Sequence, residues 1–143
     1  MKVREVMTRD VEVIHPEATL EEAAKKMKDL DVGPLPVCDG DRVLGMITDR
    51  DVTVRATAAG KAPSSAKVRD YMTPDVVYCF DDQDVEDAAQ LMAEKQIRRL
   101  VVLNRDKRLT GIVSLGDVAV ETRDDKLSGD VLEQISQPAA PNR

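Results

Sequence analysis

Two stretches of this chain set a hydroxyl and a carboxylate three residues apart, just after an apolar run. They are Gly45-Met46-Ile47-Thr48-Asp49-Arg50-Asp51 and Gly111-Ile112-Val113-Ser114-Leu115-Gly116-Asp117. At a helix start such positions share one face. A carboxylate can accept both hydroxyls of a ribose cis-diol, while a hydroxyl beside free helix N–H groups favours phosphate oxygens. Thr48, Asp51, Ser114 and Asp117 are therefore candidates for holding a ribose and its phosphate. The same four residues also suit a plainer task, capping the helices they open. A phosphate further needs cations. Arg98 and Arg99 stand together before an apolar run, and Arg50 is a third candidate. Each charge-assisted contact is worth about 1.5–3 kcal/mol where water is partly excluded. The plainer reading of Arg98-Arg99 is a basic pair at a helix C-terminus, and of Arg50 a solvated surface side chain.

Catalytic chemistry finds little to use. His15 is the one histidine, is followed by Pro16, and has no spaced partner for a metal dyad or a nucleophile–base pair. Cys38 and Cys79 form no Cys-x-x-Cys and no zinc pattern, so free, partly buried thiols are expected. Asp81-Asp82-Gln83-Asp84 lacks the glycine and terminal glutamate of a calcium loop and reads as a turn ending in a helix cap. Neither a Walker pattern nor a dinucleotide glycine fingerprint occurs. No catalytic residue, metal or obligatory cofactor is expected, and a bound nucleotide would be a ligand rather than a substrate.

The elements that position these residues follow from an internal repeat. Val3-Arg4-Glu5-Val6-Met7-Thr8-Arg9-Asp10-Val11 returns as Val68-Arg69-Asp70-Tyr71-Met72-Thr73-Pro74-Asp75-Val76, at an offset of 65 residues (from Val3 to Val68). The offset holds for Leu20-Glu21-Glu22-Ala23-Ala24 against Val85-Glu86-Asp87-Ala88-Ala89, and for Leu35 and Val37 against Leu100 and Val102. After one insertion in a turn, it continues through the two Gly-x-x-hydroxyl-x-x-Asp motifs. Each copy predicts a short β segment (11–14, 76–79) and then a helix. Thr19 begins a capping box with Glu22, and Asp84 takes the N-cap position in the second copy. The Ala and Met positions at helical spacing are core. A hairpin follows, turning at Asp39-Gly40-Asp41 or Asn104-Arg105-Asp106, and a second helix opens near Asp51 or Asp117. The expectation is α+β, two β-α-β-β-α repeats related by a pseudo-twofold and forming one compact module. Repeat 1 spans 1–60, a linker 61–67, repeat 2 with a C-terminal helix around 130–136 spans 68–137, and 138–143 is a flexible tail. Gly60 is placed to stop the helix before the linker.

Composition sets bounds on partners. The chain has 143 residues, 42% hydrophobic and 34% charged, which fits a folded protein, and a unit of half that length is marginal alone. Aromatics make up 2% and there is no Trp, so base-stacking platforms are not available and the core must be aliphatic. A net charge of −6 argues against nucleic-acid polymers and anionic membranes. The charged N-terminus lacks a signal-peptide run and no segment matches a membrane span, so the expected location is cytoplasmic.

Taken together, Val6-Met7-Thr8, Tyr71-Met72-Thr73, Thr19-Leu20, Leu35-Pro36-Val37, Arg98-Arg99-Leu100-Val101-Val102 and the two Gly-x-x-hydroxyl-x-x-Asp motifs resemble a tandem pair of cystathionine β-synthase (CBS) domains, a Bateman module. The resemblance covers about residues 2–137 and extends to the stand-alone two-CBS proteins of bacteria, a group that includes the hypoxic response proteins. It implies a non-catalytic sensor of adenosine-containing ligands (AMP, ADP, ATP or S-adenosylmethionine), commonly a homodimer that regulates another protein. It implies ligand clefts assembled across the repeat boundary. Ser114 and Asp117 would join Val11, Val13, Val32 and Gly33, and Thr48 and Asp51 would join Val77, Tyr78 and Ile97, as aliphatic walls for adenine. The first copy departs from the pattern, with Gly33-Pro34 where the second has Arg98-Arg99, so the two clefts should differ in anion affinity. The rival expectation is a ligand-free interaction module that dimerises through the helices after Asp51 and Asp117.

Overall fold

The computed structural model describes residues 1–138; the part of the expected tail at 139–143 lies outside the described residues. The chain divides into two compact units, Glu12–Val76 and a discontinuous one made of Met1–Val11 and Val77–Arg143. These units are not the sequence repeats. The opening segment of each copy packs with the other copy's sheet, and the physical reason lies in two glycines.

In the continuous unit, helix α2 (Leu20–Leu30) is followed by a hairpin of β1 (Pro34–Asp39) and β2 (Arg42–Thr48). Thr19 caps α2 as its sequence predicts: its Oγ1 accepts the Glu22 N–H at 3.2 Å, and Glu22 Oε2 accepts the Thr19 N–H at 3.3 Å. Leu20, Ala23 and Met27 form its buried stripe against Leu35, Val37 and Ile47. The short β segment expected at 11–14 is reduced to a single parallel bridge, Ile14 with Val37. Pro16, two residues on, has no N–H to extend the pairing. The hairpin turns at Gly40, whose φ of 64° suits glycine. A π-helix, Asp51–Thr57, leads to Gly60, where a φ of 78° ends the helical run at its expected place. The one-turn helix α3 (Val68–Tyr71) closes the unit by burying Val68, and the strand-like Thr73 bridges Met46 through two backbone hydrogen bonds of 2.8 and 2.9 Å.

The discontinuous unit repeats this plan with its own N-terminal piece. Strands β3 (Tyr78–Phe80), β4 (Arg99–Leu103) and β5 (Leu109–Ser114) form one sheet in the order β3-β4-β5, parallel then antiparallel. Helix α4 (Val85–Lys95) buries Val85, Ala88, Ala89, Met92 and Ala93. Asp84 stands at its N-cap but makes no side-chain cap; its carboxylate pairs instead with Lys2 Nζ at 3.1 Å. Lys2 is present because α1 (Val3–Val6) belongs to this unit, where Val3, Val6 and Met7 enter the same core as Leu100, Val102 and Val113. Thr8 bridges Ile112 with hydrogen bonds of 2.8 and 3.0 Å, as Thr73 bridges Met46 in the other unit. Helix α5 (Leu115–Thr122) follows β5. The last helix, α6 (Asp125–Ile135), starts five residues before the expected 130, because Asp124 caps it by accepting the Leu127 N–H at 3.0 Å. Its Gly129 carries the helix despite low propensity.

No helix among the described residues is long and apolar enough to cross a membrane. Cys38 on β1 and Cys79 on β3 are buried free thiols.

Candidate functional site

The two hydroxyl–carboxylate motifs take the same local geometry. Ser114 Oγ accepts the Asp117 N–H at 3.0 Å, and Asp117 Oδ2 accepts the Ser114 N–H at 2.9 Å. Thr48 Oγ1 accepts the Asp51 N–H at 3.1 Å, and Asp51 Oδ2 accepts the Thr48 N–H at 2.9 Å. Both are reciprocal capping boxes, so the plainer of the two sequence readings is present in full. The boxes use one oxygen of each carboxylate; Oδ1 takes no part in them. Asp51 is 8% exposed, and its Oδ1 lies 3.7 Å from Arg55 Nη1. Arg55 is itself held by the Tyr71 carbonyl at 2.7 Å. Asp117 is half-buried and has no such cation among the described residues.

Around the Ser114 box the discontinuous unit opens a cleft of about 430 Å³. Its walls include Arg98, Arg99, Ser114, Gly116, Ser128 and Gly129. Sheet register explains the meeting. Arg99 pairs directly across the β4–β5 ladder with Ser114, so their side chains share a face. The Arg98 carbonyl accepts the Leu115 N–H at 2.9 Å, which ties the basic pair to the first residue of α5. Arg98 and Arg99 are exposed, and neither guanidinium is paired with a carboxylate among the described residues. The cleft thus joins two available cations to the positive end of α5, an arrangement suited to an anion.

The equivalent place in the other unit has the opposite character. Pro34 pairs with Thr48 as Arg99 does with Ser114, and the Gly33 carbonyl accepts the Asp49 N–H at 3.1 Å. There is no cation in the Arg98-Arg99 position, and the Asp49 carboxylate stands where Leu115 stands in the other copy. A Cβ at Gly33 would lie 3.3 Å from Asp49 Oδ1. Arg50 is exposed, and its backbone N–H donates to Asp49 Oδ1 at 3.0 Å.

The residues proposed for an adenine wall divide between the units. Val13, Val32 and Gly33 lie in Glu12–Val76, and Val11, Val77, Tyr78 and Ile97 lie in the discontinuous unit. Val77 and Ile97 pack against the core of their unit, while Val32 is exposed. Tyr78 meets Phe80 edge to face at 5.6 Å, and the Arg105 guanidinium covers Phe80 at 4.1 Å. Arg105 also forms a fork with Asp82. That hydrogen bonding is the main reason the Asp82 carboxyl is held below its ordinary range. Sequence reading did not single out Ser128 or Gly129, because they precede the expected start of the last helix.

A family model for the CBS domain matches residues 3–56 and 68–123, the two copies found by the repeat. The chain belongs to the CBS-domain family. The CBS-domain-containing protein YhcV of Bacillus subtilis is 40% identical over 134 residues, covering 94% of each chain. Hypoxic response protein 1 of Mycobacterium tuberculosis is 35% identical over 117 residues, covering 81% of each. A crystal structure of that response protein, described with two coordinated zinc ions, superposes with a TM-score of 0.76 at 34% identity, over 84% of this chain and 98% of its own. Among the described residues of this CBS pair, no three His, Cys, Asp or Glu side chains are grouped to hold a metal. The CBS protein CBSX2, crystallised in complex with AMP, has a TM-score of 0.73 at 29% identity, over 87% of this chain and 98% of its own.

Proposed function

We propose that this CBS pair is a non-catalytic regulatory module that binds an adenosine-containing ligand, with AMP, ADP, ATP and S-adenosylmethionine as the candidate set. The observation that carries the reading is the cleft in which Arg98 and Arg99, paired with no carboxylate among the described residues, stand beside Ser114 and the α5 N-terminus. Phosphate is assigned to the two arginines and Ser114, and the ribose diol to Asp117. Thr48, Asp51 and Arg50 are assigned a weaker, phosphate-poor counterpart, because Gly33-Pro34 stands in place of the basic pair there and Asp49 adds a carboxylate. Of the wall residues that the resemblance implies for Ser114 and Asp117, Val11 belongs to the same unit and is assigned to the base. The complex of CBSX2 with AMP supports this choice of ligand class. Ligand occupancy would act on a partner protein through a homodimer surface, and the shift in that partner is limited by the ligand's differential affinity for the two states.

Thermal denaturation with AMP, ADP, ATP, S-adenosylmethionine and adenosine tests the reading. A ligand at 100 times its Kd stabilises by about 2.7 kcal/mol. Arg98→Ala and Arg99→Ala should each weaken AMP about tenfold or more and leave adenosine nearly unchanged. Asp117→Asn keeps an acceptor for the Ser114 N–H while removing the charge, so a loss of affinity in that variant reports ribose binding rather than a lost helix cap. If millimolar ligand of every type leaves the melting curve in place, the ligand reading fails.

One observation favours the rival interaction module. Each box pairs its hydroxyl and carboxylate with backbone N–H groups of its own helix start, and the helices they open carry exposed apolar side chains, Val54 at 47% and Val120 at 70%. In that case Val54→Asp and Val120→Asp would lower the oligomer mass by light scattering, with no ligand response to lose.

A further inference from the structure

One wall of the cationic cleft comes from α6, which lies beyond both segments matched by the CBS-domain model. Two features of that wall lack an explanation among the described residues. Ser128 Oγ is shut off from solvent and has no hydrogen-bond partner among them. A buried hydroxyl without a partner is costly and uncommon in a native protein. Next to it, Gly129 sits inside the helix with a cost in propensity. A Cβ there would meet nothing within 4 Å, so neither packing nor backbone conformation demands glycine. Both residues line the cleft that Arg98, Arg99 and Ser114 enter from the opposite elements.

We infer that α6 is part of the ligand site: Ser128 donates a hydrogen bond to a phosphate held by Arg98 and Arg99, and Gly129 keeps open the space that the phosphate group occupies. The inference rests on the anion-binding reading of the cleft and adds a residue-level recognition role to it. Serine has a single heavy-atom side-chain torsion, so a change of rotamer suffices to turn the hydroxyl from its buried position to a phosphate oxygen. The bond then satisfies the orphaned donor at the moment of binding. It also makes the C-terminal helix an element whose order depends on phosphate occupancy.

The test uses the full-length chain with AMP and adenosine as probes, measured by calorimetry, together with amide exchange over Asp125–Ile135. Wild-type protein should bind AMP more tightly than adenosine, and AMP should slow exchange in α6. Ser128→Ala should weaken AMP five- to tenfold with adenosine unchanged, while the ligand-free melting temperature stays level or rises, since an unsatisfied buried hydroxyl is removed. Gly129→Ala should raise the ligand-free melting temperature and weaken AMP by crowding the cleft. Wild-type affinity for AMP in both variants, or equal weakening of adenosine, overturns the inference and leaves the ligand reading intact. So does AMP binding that leaves α6 exchange unchanged. Absence of AMP binding in the wild type overturns both.

Discussion

A methyl group added at Gly111 would stand 2.6 Å from the Thr8 carbonyl oxygen and 2.8 Å from Met7 Sδ; at Gly45 the same addition meets the Thr73 carbonyl oxygen at 2.7 Å. The glycine of each motif therefore admits the crossing Met-Thr segment, and the hydroxyl and carboxylate that follow are positioned by that packing. The obstacle is backbone, which yields less readily than a side chain. Gly111→Ala and Gly45→Ala should each cost about 1–3 kcal/mol, read as lowered urea midpoints with an unchanged slope. The thiols give a second residue-scale expectation. Burial, aided by the charge of Asp41 at Cys38 and of Asp81 at Cys79, pushes both up to about 11 from an ordinary 9.0. Unfolded thiols then ionise first as pH rises, so their contribution to stability is complete below pH 9 and is lost between about 9 and 11. The drop in urea midpoint from pH 8 to pH 10.5 should be smaller in a Cys38→Ala, Cys79→Ala double variant than in the wild type. Disulfide-exchange reagents at pH 7 should label neither thiol before unfolding.

Helix starts show which parts of a sequence speak for themselves. Thr19 with Glu22 predicts a capping box and forms one, because both partners lie within four residues and no distant group competes. Asp84 carries the same local signal but gives its carboxylate to Lys2, which arrives from 82 positions away (Lys2 to Asp84). Thr19→Ala should therefore destabilise by about 1 kcal/mol, whereas Asp84→Ala should change stability by only a few tenths, since an exposed pair contributes little. Double-mutant melting with Lys2→Ala measures the latter directly. Strands, hairpin turns and the Ala-Met core faces were legible for the same reason as Thr19: their periodicity is local. Of the residues singled out in the sequence, Arg98, Arg99 and Ser114 line the cleft, brought together by the β4–β5 register that the hairpin pattern implies, while Asp117 is not among its lining residues. Ser128 and Gly129 were not legible, because a glycine lowers the helical signal just where α6 supplies the last wall. The π-helix at Asp51–Thr57 left no mark in spacing either, since its register departs from the α-helical one by a single residue.

At the scale of the whole chain, the exchange of opening segments is the feature a repeat hides. Met7-Thr8 and Met72-Thr73 are the same motif, and Gly45 and Gly111 are the same groove, so the sequence alone offers two equivalent pairings. The fold takes Met7 on Gly111 and Met72 on Gly45. The discontinuous unit must therefore close a loop consisting of Glu12–Val76 before Val3, Val6 and Met7 reach their core. For a flexible loop of 65 residues (12 through 76), the length-dependent part of that closure is about 4 kcal/mol, and prior folding of the continuous unit reduces it. Cutting the chain shows the consequence. Fragments made at the repeat boundaries, 1–60 and 68–137, each lack the segment that fills their glycine groove, and neither should unfold cooperatively. Fragment 12–76 retains Val68 and Thr73 and should show a cooperative urea transition. Fragment 77–138 should gain native-like circular dichroism only when a peptide of residues 1–11 is added, at a concentration that depends on Val3, Val6 and Met7. A well-folded 68–137 without that peptide would mean that α1 decorates the second sheet rather than completing its core.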